Sequence, residues 1–328
     1  MTEQSRPRVV VFAADFMAPY WAPEWEAIRL APDEPWRETL AYAAGQGPVF
    51  AYSMNCADAY GAGIESFQRQ ALVECRRHGI PTVWHTIEDP NHFEHFREQA
   101  RGFDFVFTSD REMIPGYRQF LGHEKVWWLP LACQPAMHYP LPTEPDAADF
   151  VLIANYYPYE TRVEAVSNLI TPIILAGHSL ALFAYANPDG TCCWPEPFSA
   201  HWKGATSCYD VTKFYPKGRI ALGLNCQTHQ TTMTSMRTYE ALACEKPFLA
   251  AHSDAYEPLG FRNGVHFRWT GSREETMAHV RLLLNEPGVA VAMATIGVLF
   301  VWENHTYAHR LQRILAAMDG KAKPGELT

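Results

Sequence analysis

The chain has 328 residues, of which 48% are hydrophobic and 19% are charged, and its formal net charge is −9. This composition is typical of a globular protein of one or two domains, and two are favoured at this length. A negative chain without a run of Lys and Arg lacks the basic surface of a general nucleic-acid-binding protein, so that class is disfavoured.

The chain also lacks the usual signals for export. Met1–Arg8 is polar and leads directly into a strand, which is not the pattern of a signal peptide. The longest uncharged stretch, Pro287–Trp302, is shorter than the roughly 18 apolar residues of a membrane span, so we expect a buried helix there. The eight cysteines are scattered without a CxxC pair, as in a reduced protein. We therefore expect a cytoplasmic protein with no membrane span.

Strands and helices alternate through the first half of the chain. The predicted strands are Arg8–Ala14, Pro48–Tyr52, Thr82–Thr86, Phe103–Thr108 and Lys125–Leu131. The predicted helices are Glu65–His78, His92–Arg101 and Glu112–Leu121. Several of these strands are nearly continuous in apolar residues, as expected where helices cover both faces of a sheet. The alternation predicts a parallel, doubly wound sheet.

A proline-rich segment, Gln134–Ala148, separates this half from a second one with the same alternation. The predicted strands there are Asp149–Ala154, Ser179–Tyr185, Ile220–Leu224, Phe248–Ala251 and Val265–Trp269. The predicted helices are Arg162–Leu175, Met236–Cys244, Arg273–Leu284 and Val289–Met318, the last with a break near Glu303–His305. The sequence thus predicts an α/β protein with two Rossmann-like, doubly wound parallel-sheet domains, residues 1–140 and 149–303, facing a cleft that is the default ligand site.

Several segments of the chain resemble the CgeB-like (spore maturation protein) glycosyltransferases, which have the GT-B fold. The main one is SMRTYEALACEKPFLA, Ser235–Ala250, which is similar to a segment of that family's C-terminal domain. Further blocks that match in the same order are Phe150–Arg162, Thr212–Asn225, Asn304–Arg310 and, in the first half, WHTIEDP, FVFTSD and VWWLPLAC. The resemblance spans about residues 80–316.

The resemblance implies a function. A sugar would pass from a nucleoside-diphosphate sugar, with a UDP-sugar favoured, to a hydroxyl acceptor. The second domain would bind the donor, the first would receive the acceptor, and a final helix, residues 304–328, would return to the first domain. The donor-binding residues that it implies are Asn155, Arg162, Asn225, Thr234, Ser235, Arg237 and Glu240. No metal and no cofactor are implied, and the acceptor stays open among protein, glycan, small molecule and modified DNA.

The residues around Ser235 suit a nucleoside diphosphate. We expect the helix that begins there to have an uncapped N-terminus, whose N–H groups attract phosphate. Arg237 can add a bidentate contact, and Glu240, three residues later, can hold the ribose hydroxyls. From the pattern alone this pair is more often a surface ion pair, and the resemblance reverses that preference. Replacing either residue with Ala is expected to weaken donor binding and to leave the fold intact.

His85 and Asp89 are the candidate catalytic residues, because both are expected at the carboxyl ends of parallel strands, where one of them can deprotonate an acceptor hydroxyl. An N-cap is the more ordinary role for Asp89, and likewise for Asp110. His85 with His92 and His95 has only weak metal-site spacing, so solvated histidines are favoured there.

Several positions depart from the glycosyltransferase pattern, among them Ala154, which replaces the glycine that opens the second domain. Thr232 stands where related retaining enzymes often have a second glutamate, and Glu245 stands where the family has a glycine. Two other functions therefore remain open. One is a non-catalytic nucleotide- or sugar-binding protein, and the other is a nucleotide-sugar epimerase or a sugar phosphorylase.

Overall fold

The computed structural model describes residues 6–12, 17–47, 50–55, 62–225 and 232–322. The chain forms two compact units, residues 1–130 together with 307–328, and residues 131–306. Each unit contains one six-stranded sheet in which all neighbouring strands are parallel. The predicted fold class, two doubly wound parallel sheets, is confirmed. Ala14 and Pro48, which are ends of two predicted strands, and the cysteines Cys56 and Cys226 lie outside the described residues.

The first unit comprises six strands and six helices in its described part. The strands are β1 (Arg8–Phe12), β2 (Glu26–Leu30), β3 (Phe50–Asn55), β4 (Thr82–Thr86), β5 (Phe105–Thr108) and β6 (Val126–Trp128). The helices are α1 (Ala18–Trp21), α2 (Trp36–Gly45), α3 (Ala62–Arg77), α4 (Phe93–Gln99), α5 (Ile114–Leu121) and, from the end of the chain, α10 (Tyr307–Met318). The strand order is β2-β1-β3-β4-β5-β6. The sequence missed β2 because it is an edge strand in which only Leu30 is buried.

The second unit comprises six strands and four helices in its described part. The strands are β7 (Ala148–Ile153), β8 (Leu180–Phe183), β9 (Trp202–Gly204), β10 (Gly218–Gly223), β11 (Phe248–Ala251) and β12 (Arg268–Thr270). The helices are α6 (Glu160–Leu175), α7 (Met236–Ala243), α8 (Arg273–Asn285) and α9 (Pro287–Asn304). The strand order is β12-β11-β10-β7-β8-β9.

The strand orders locate the point in each sheet where a ligand crevice is expected. In a doubly wound sheet the crevice opens at the carboxyl ends of the two strands between which the winding reverses. In the second unit these strands are β7 and β10, and the residues after both of them are described. In the first unit they are β1 and β3, and the segments after them, residues 13–16 and 56–61, lie outside the described residues.

Helix α6 closes one face of the second sheet. Val166, Leu169, Ile170 and Ile173 recur every three or four residues, so they form one apolar face of the helix, and all four are buried in the core. The same core contains residues of β7, β8 and β10. This packing fixes the start of α6, and with it Arg162, against the sheet.

Helix α9 is buried on one face only. Six of its residues, including Met293 and Val298, are buried, whereas Val291, Ile296 and Leu299 are between 44% and 61% exposed. In the part of the chain that the structure describes, α9 alone has the length and composition of a membrane span, with 18 residues and a mean hydropathy of 1.3. Core helices of soluble proteins meet the same criterion, so this is weak evidence for a membrane.

Candidate functional site

Arg162 connects the segments that follow the two strands at the reversal point of the second sheet. Its guanidinium donates to the backbone carbonyl of Asn225 at 2.8 Å and to that of Asn155 at 2.9 Å. Asn155 and Asn225 follow β7 and β10 by two residues each. Because the arginine is only 3% exposed, it acts on these carbonyls in a buried setting. Arg162 therefore fixes the two walls of the expected crevice.

Asn225 connects this crevice to the start of α7. Its Oδ1 accepts a hydrogen bond from the backbone N–H of Ser235 at 2.8 Å, and its Nδ2 donates to the Tyr256 hydroxyl at 2.9 Å. Ser235 Oγ accepts from the backbone N–H of Arg237 at 3.3 Å, with Ser235 in the N-cap position. The prediction of an uncapped helix was therefore wrong, because the serine side chain satisfies one of the N–H groups in the first turn. Thr234, directly before the cap, is buried.

Arg237 and Glu240 form an ion pair inside the second unit. Arg237 Nη1 donates to Glu240 Oε2, and Glu240 Oε1 lies 3.6 Å from His138 Nε2. The Glu240 side chain is completely buried, and that of Arg237 is 20% exposed. The alternative of a surface ion pair was therefore wrong about the location of the pair. Because removing one partner of a buried pair is strongly destabilising, we also revise the expectation that Arg237→Ala and Glu240→Ala leave the fold intact.

His138 is a neutral neighbour of this pair. Burial lowers its pKa, the Glu240 charge opposes that shift, and the Arg237 charge adds to it. The backbone N–H of Gln134 donates to His138 Nδ1 at 3.0 Å, so Nε2 carries the proton and faces the glutamate. Sequence reasoning missed His138 because it lies 102 residues before Glu240 in a proline-rich segment with no periodicity.

Two partly exposed tyrosines lie beside the crevice. The backbone N–H of Tyr185 donates to Asn155 Oδ1 at 2.8 Å, and Asn155 Nδ2 lies 3.5 Å from the Tyr157 hydroxyl. The two tyrosines are 46% and 39% exposed. Burial raises the pKa of Tyr185 to about 12; the Cys208 thiol adds to the shift, and the charge of Arg237 opposes it. Both rings therefore offer flat apolar surfaces beside Asn155, and Tyr185 also lies within range of the Arg237 charge.

The structure brings the predicted donor residues together in one chain of contacts at the reversal point. The order of contact is Asn155, Arg162, Asn225, Ser235, Arg237 and Glu240. Thr234 is adjacent to this chain, and its hydroxyl lies 3.5 Å from the backbone carbonyl of Ser235. The donor roles of these residues stay predictions.

In the first unit, His85 lies within β4 rather than after it. Its Nδ1 is 2.9 Å from the Tyr52 hydroxyl, and its Nε2 is 3.4 Å from the backbone carbonyl of Leu129. Burial lowers the pKa of His85 to about 3, the carbonyl of Leu129 opposes the shift, and the nearby Arg310 charge adds to it. The ring is therefore neutral at physiological pH and is a weak base.

Asp89 follows β4 in the chain, and its buried carboxyl group contacts residues of β5 and α5. The distances are 2.7 Å from its Oδ2 to Thr108 Oγ1 and 3.2 Å from its Oδ1 to the Tyr117 hydroxyl. Burial raises the pKa of Asp89 to about 7, and the hydrogen bonds from Thr108 and Tyr117 oppose that shift. The N-cap interpretation of Asp89 was wrong, because His92 occupies the N-cap position of the helix that follows. For Asp110 it was right, since its Oδ1 accepts from the Glu112 N–H at 3.0 Å.

Asp89 has the better pKa of the two candidates for accepting a proton at neutral pH. Neither side chain is open to solvent, with His85 3% and Asp89 0% exposed. In the described ranges no group of three or more His, Cys, Asp or Glu residues has the arrangement of a metal site.

Comparison with known proteins adds a family match and a fold. Residues 163–316 match a family model described as glycosyl transferase-like. No curated protein sequence matches the chain. The described fold is similar to that of many solved structures.

Three similar structures illustrate the fold. HepE of Anabaena, solved in complex with UDP-glucose, has a TM-score of 0.58 and 11% identity, over 95% of this chain and 99% of that one. Sucrose-phosphate synthase of Thermosynechococcus elongatus has a TM-score of 0.62 and 12% identity, over 97% and 100%. A DNA-modifying β-glucosyltransferase has a TM-score of 0.63 and 10% identity, over 95% and 99%. Because these identities are low, the structural similarity establishes the fold alone, which is the GT-B fold. The family match lies mainly on the second unit.

Proposed function

We propose that this chain, a glycosyltransferase with the GT-B fold, transfers a sugar from a UDP-sugar to a hydroxyl acceptor. The donor would bind at the reversal point of the second sheet and would need no metal. The CgeB-like glycosyltransferases are the subfamily that we propose. The observation that carries the proposal is the chain of contacts from the buried Arg162 through Asn225 and Ser235 to Arg237, which runs into the region with a glycosyl transferase-like sequence.

Arg237 is the residue that we propose to bind the diphosphate. Glu240 holds one nitrogen of the guanidinium, which fixes its orientation, and 20% of the Arg237 side chain stays exposed. The arginine lies in the first turn of α7, where the positive end of the helix dipole also attracts anions. A planar guanidinium suits phosphate because it can donate two parallel hydrogen bonds.

The sugar nucleotide is proposed on two further grounds. HepE, which has the same fold, was solved with UDP-glucose and with UDP. In this chain, Tyr157 and Tyr185 present exposed rings beside Asn155, and a nucleobase can stack on such rings. Glu240 faces Arg237 and His138, so its proposed contact with the ribose requires one carboxylate oxygen to turn from a protein partner.

For the acceptor side we propose Asp89, and not His85, as the residue that handles a proton. A group with a pKa of about 7 can accept a proton at neutral pH and release it again, whereas a histidine with a pKa of about 3 stays neutral. The acceptor class remains open among protein, glycan, small molecule and modified DNA.

Titration of UDP tests the donor site, on variants whose folded state is first verified by circular dichroism. Arg237→Ala should weaken UDP binding by ten- to a hundredfold, because it removes a charge-assisted bidentate contact of about 1.5–3 kcal/mol. Arg281→Ala, which changes an exposed arginine of α8, is the matched control and should bind like the wild type. Adding EDTA should leave all affinities unchanged. Equal UDP affinity in the wild type and Arg237→Ala would remove Arg237 from the site.

Product analysis separates the remaining functions. A transferase moves the sugar of UDP-glucose or another UDP-sugar to the acceptor hydroxyl and releases UDP in proportion to added acceptor. An epimerase converts the donor alone, a phosphorylase consumes phosphate, and a non-catalytic binder gives no turnover. Any of these three results, together with tight UDP binding, would retain the donor site and reject the proposed transfer.

A further inference from the structure

A cavity of 420 Å³ lies in the second unit at the amino ends of its strands. Arg219 near the start of β10 and Lys246 before β11 line it, whereas the proposed donor residues follow the carboxyl ends of β7 and β10. The cavity is therefore at the opposite end of the sheet from the donor site. Its volume is within the range of small-molecule sites, which is roughly 300–1,000 Å³.

Most of the cavity wall is apolar. Leu141, Ile220, Leu284 and Val291 contribute to it, and α8 and α9 supply one side. Val291 is 61% exposed and belongs to the apolar surface that α9 leaves uncovered. An apolar ligand segment can thus enter beside α9 without displacing the core.

One buried cation lies in this apolar wall. Lys246 is 3% exposed, and its ammonium donates to Thr143 Oγ1 at 3.0 Å. Among the described residues no carboxylate forms an ion pair with it. Burial lowers the pKa of Lys246 to about 8, as expected for an ammonium group that lacks a close counter-charge.

The other ionisable groups of the cavity do not supply that counter-charge. Burial raises the pKa of Cys244 to about 12, so its thiol stays protonated at neutral pH. Glu245 Oε1 accepts a hydrogen bond from Thr295 Oγ1 at 2.9 Å, and Arg219 lies 3.6 Å from Asp149. The ammonium group of Lys246 has three N–H donors, and the Thr143 hydroxyl accepts from one of them. An anionic ligand can accept from the others.

We propose that this cavity is a second ligand site, for an amphipathic carboxylate whose head binds Lys246 and whose apolar tail lies against α8 and α9. Charge complementarity requires the anionic head, and the apolar wall requires the tail. Because the site lies at the other end of the sheet, its ligand is distinct from the UDP-sugar. The proposal does not depend on the donor assignment.

Calorimetric titration with decanoate and decanol tests the site, since the two probes share a tail and differ in the charge of the head. The wild type should bind decanoate at least tenfold more tightly than decanol. Lys246→Met should lose that preference while still binding decanol. Equal decanoate affinity in the wild type and Lys246→Met, or no binding of decanoate to the wild type, would overturn the proposal.

A second variant keeps the test independent of the buried lysine. Val291→Asp places a negative charge on an exposed position of the cavity wall and should weaken decanoate binding several-fold. Val73→Asp, the same change at a 48% exposed valine of α3, is the matched control and should bind decanoate like the wild type. If both aspartate variants bind decanoate equally, the tail does not lie beside α9 and the proposed site is wrong.

Discussion

The two units bury polar side chains beside their sheets in different electrostatic states. In the second unit the buried Glu240 is paired with Arg237, and the neutral His138 lies against it. In the first unit His85 and Asp89 form no such ion pairs with any described residue; burial shifts both of their pKa values towards the neutral forms. The same doubly wound architecture thus holds a compensated charge pair in one unit and, in the other, hydrogen-bonded groups whose neutral forms are favoured by burial.

The positions of the two clusters differ as well. Asn155 and Asn225, which lead to Arg237, follow the strands at the reversal point of the second sheet. His85 lies in β4, one strand away from the reversal point between β1 and β3. An arginine at the reversal point suits an anionic ligand when a buried glutamate already orients its guanidinium before binding. The comparison therefore supports the proposal that a diphosphate would bind in the second unit.

The largest effect should come from breaking the charge pair. Glu240→Ala leaves Arg237 without its buried carboxylate, so we expect the free energy of unfolding to fall by about 3–5 kcal/mol. Urea denaturation measures this change. Asp210→Ala, in the exposed pair with Lys213 at the same i,i+3 spacing, is the control and should have a much smaller effect. Similar losses in the two variants would mean that Glu240 is not energetically distinct from a surface partner.

In the first unit, the stability that depends on Asp89 should respond to pH rather than to the loss of a charged partner. The folded pKa of Asp89, about 7, is above its ordinary value of 3.8. Its contribution to stability is therefore complete below about pH 4 and is lost as the pH rises to about 7. Asp89→Asn cannot ionise, so its stability relative to the wild type should increase across that range by an amount on the order of 4 kcal/mol.

Urea denaturation of Asp89→Asn and the wild type at pH 4 and pH 8 measures this difference. The exposed Asp33→Asn is the control, and it should show no comparable change between the two pH values. If the difference between Asp89→Asn and the wild type is the same at both pH values, Asp89 ionises as readily in the folded protein as in the unfolded one.

The sequence predicted the buried parts of both sheets better than their edges. All five residues of β4 are buried, and its threonine, valine and tryptophan residues are types that favour a strand. β2 and β9 were missed, because β2 buries one residue and β9 has only three residues, all partly exposed or exposed. Periodicity reports burial, so it cannot identify an edge strand that has little of it.

In the candidate sites, the sequence predicted contacts between residues close in the chain and missed contacts between residues far apart in it. Arg237 and Glu240 were paired correctly because a spacing of three residues on a helix brings side chains together. Their burial and the contact with His138 were not foreseen, since both depend on packing between residues far apart in the sequence. The Asp89 carboxyl was interpreted as a helix cap for the same reason: its contacts with Thr108 and Tyr117 lie 19 and 28 residues away.

The smallest effect on the free energy of unfolding is expected at the carboxyl ends of two helices, one in each unit. Helix α5 of the first unit ends at Gly122 with a φ of 72°, whereas α7 of the second unit is followed by Glu245 with a φ of 54°. Glycine adopts this left-handed region without a steric cost, and another residue loses about 1 kcal/mol there. Since an added Cβ at Gly122 would meet no atom within 4 Å, Gly122→Ala isolates this backbone cost and should lower the free energy of unfolding by about 1 kcal/mol.

Glu245→Gly should show the reverse effect, reduced by the hydrogen bond that Glu245 accepts from Thr295. In a Thr295→Val background that bond is already absent, so the glycine should stabilise the protein by up to about 1 kcal/mol. In the wild-type background the gain should be smaller, because removing the glutamate also leaves the Thr295 hydroxyl without this acceptor. Thermal denaturation of the two single variants and the double variant measures the difference. A loss of stability in the Thr295→Val background would show that Glu245 stabilises the end of α7 by a contact other than this hydrogen bond, and that this contact outweighs the steric cost of its left-handed backbone.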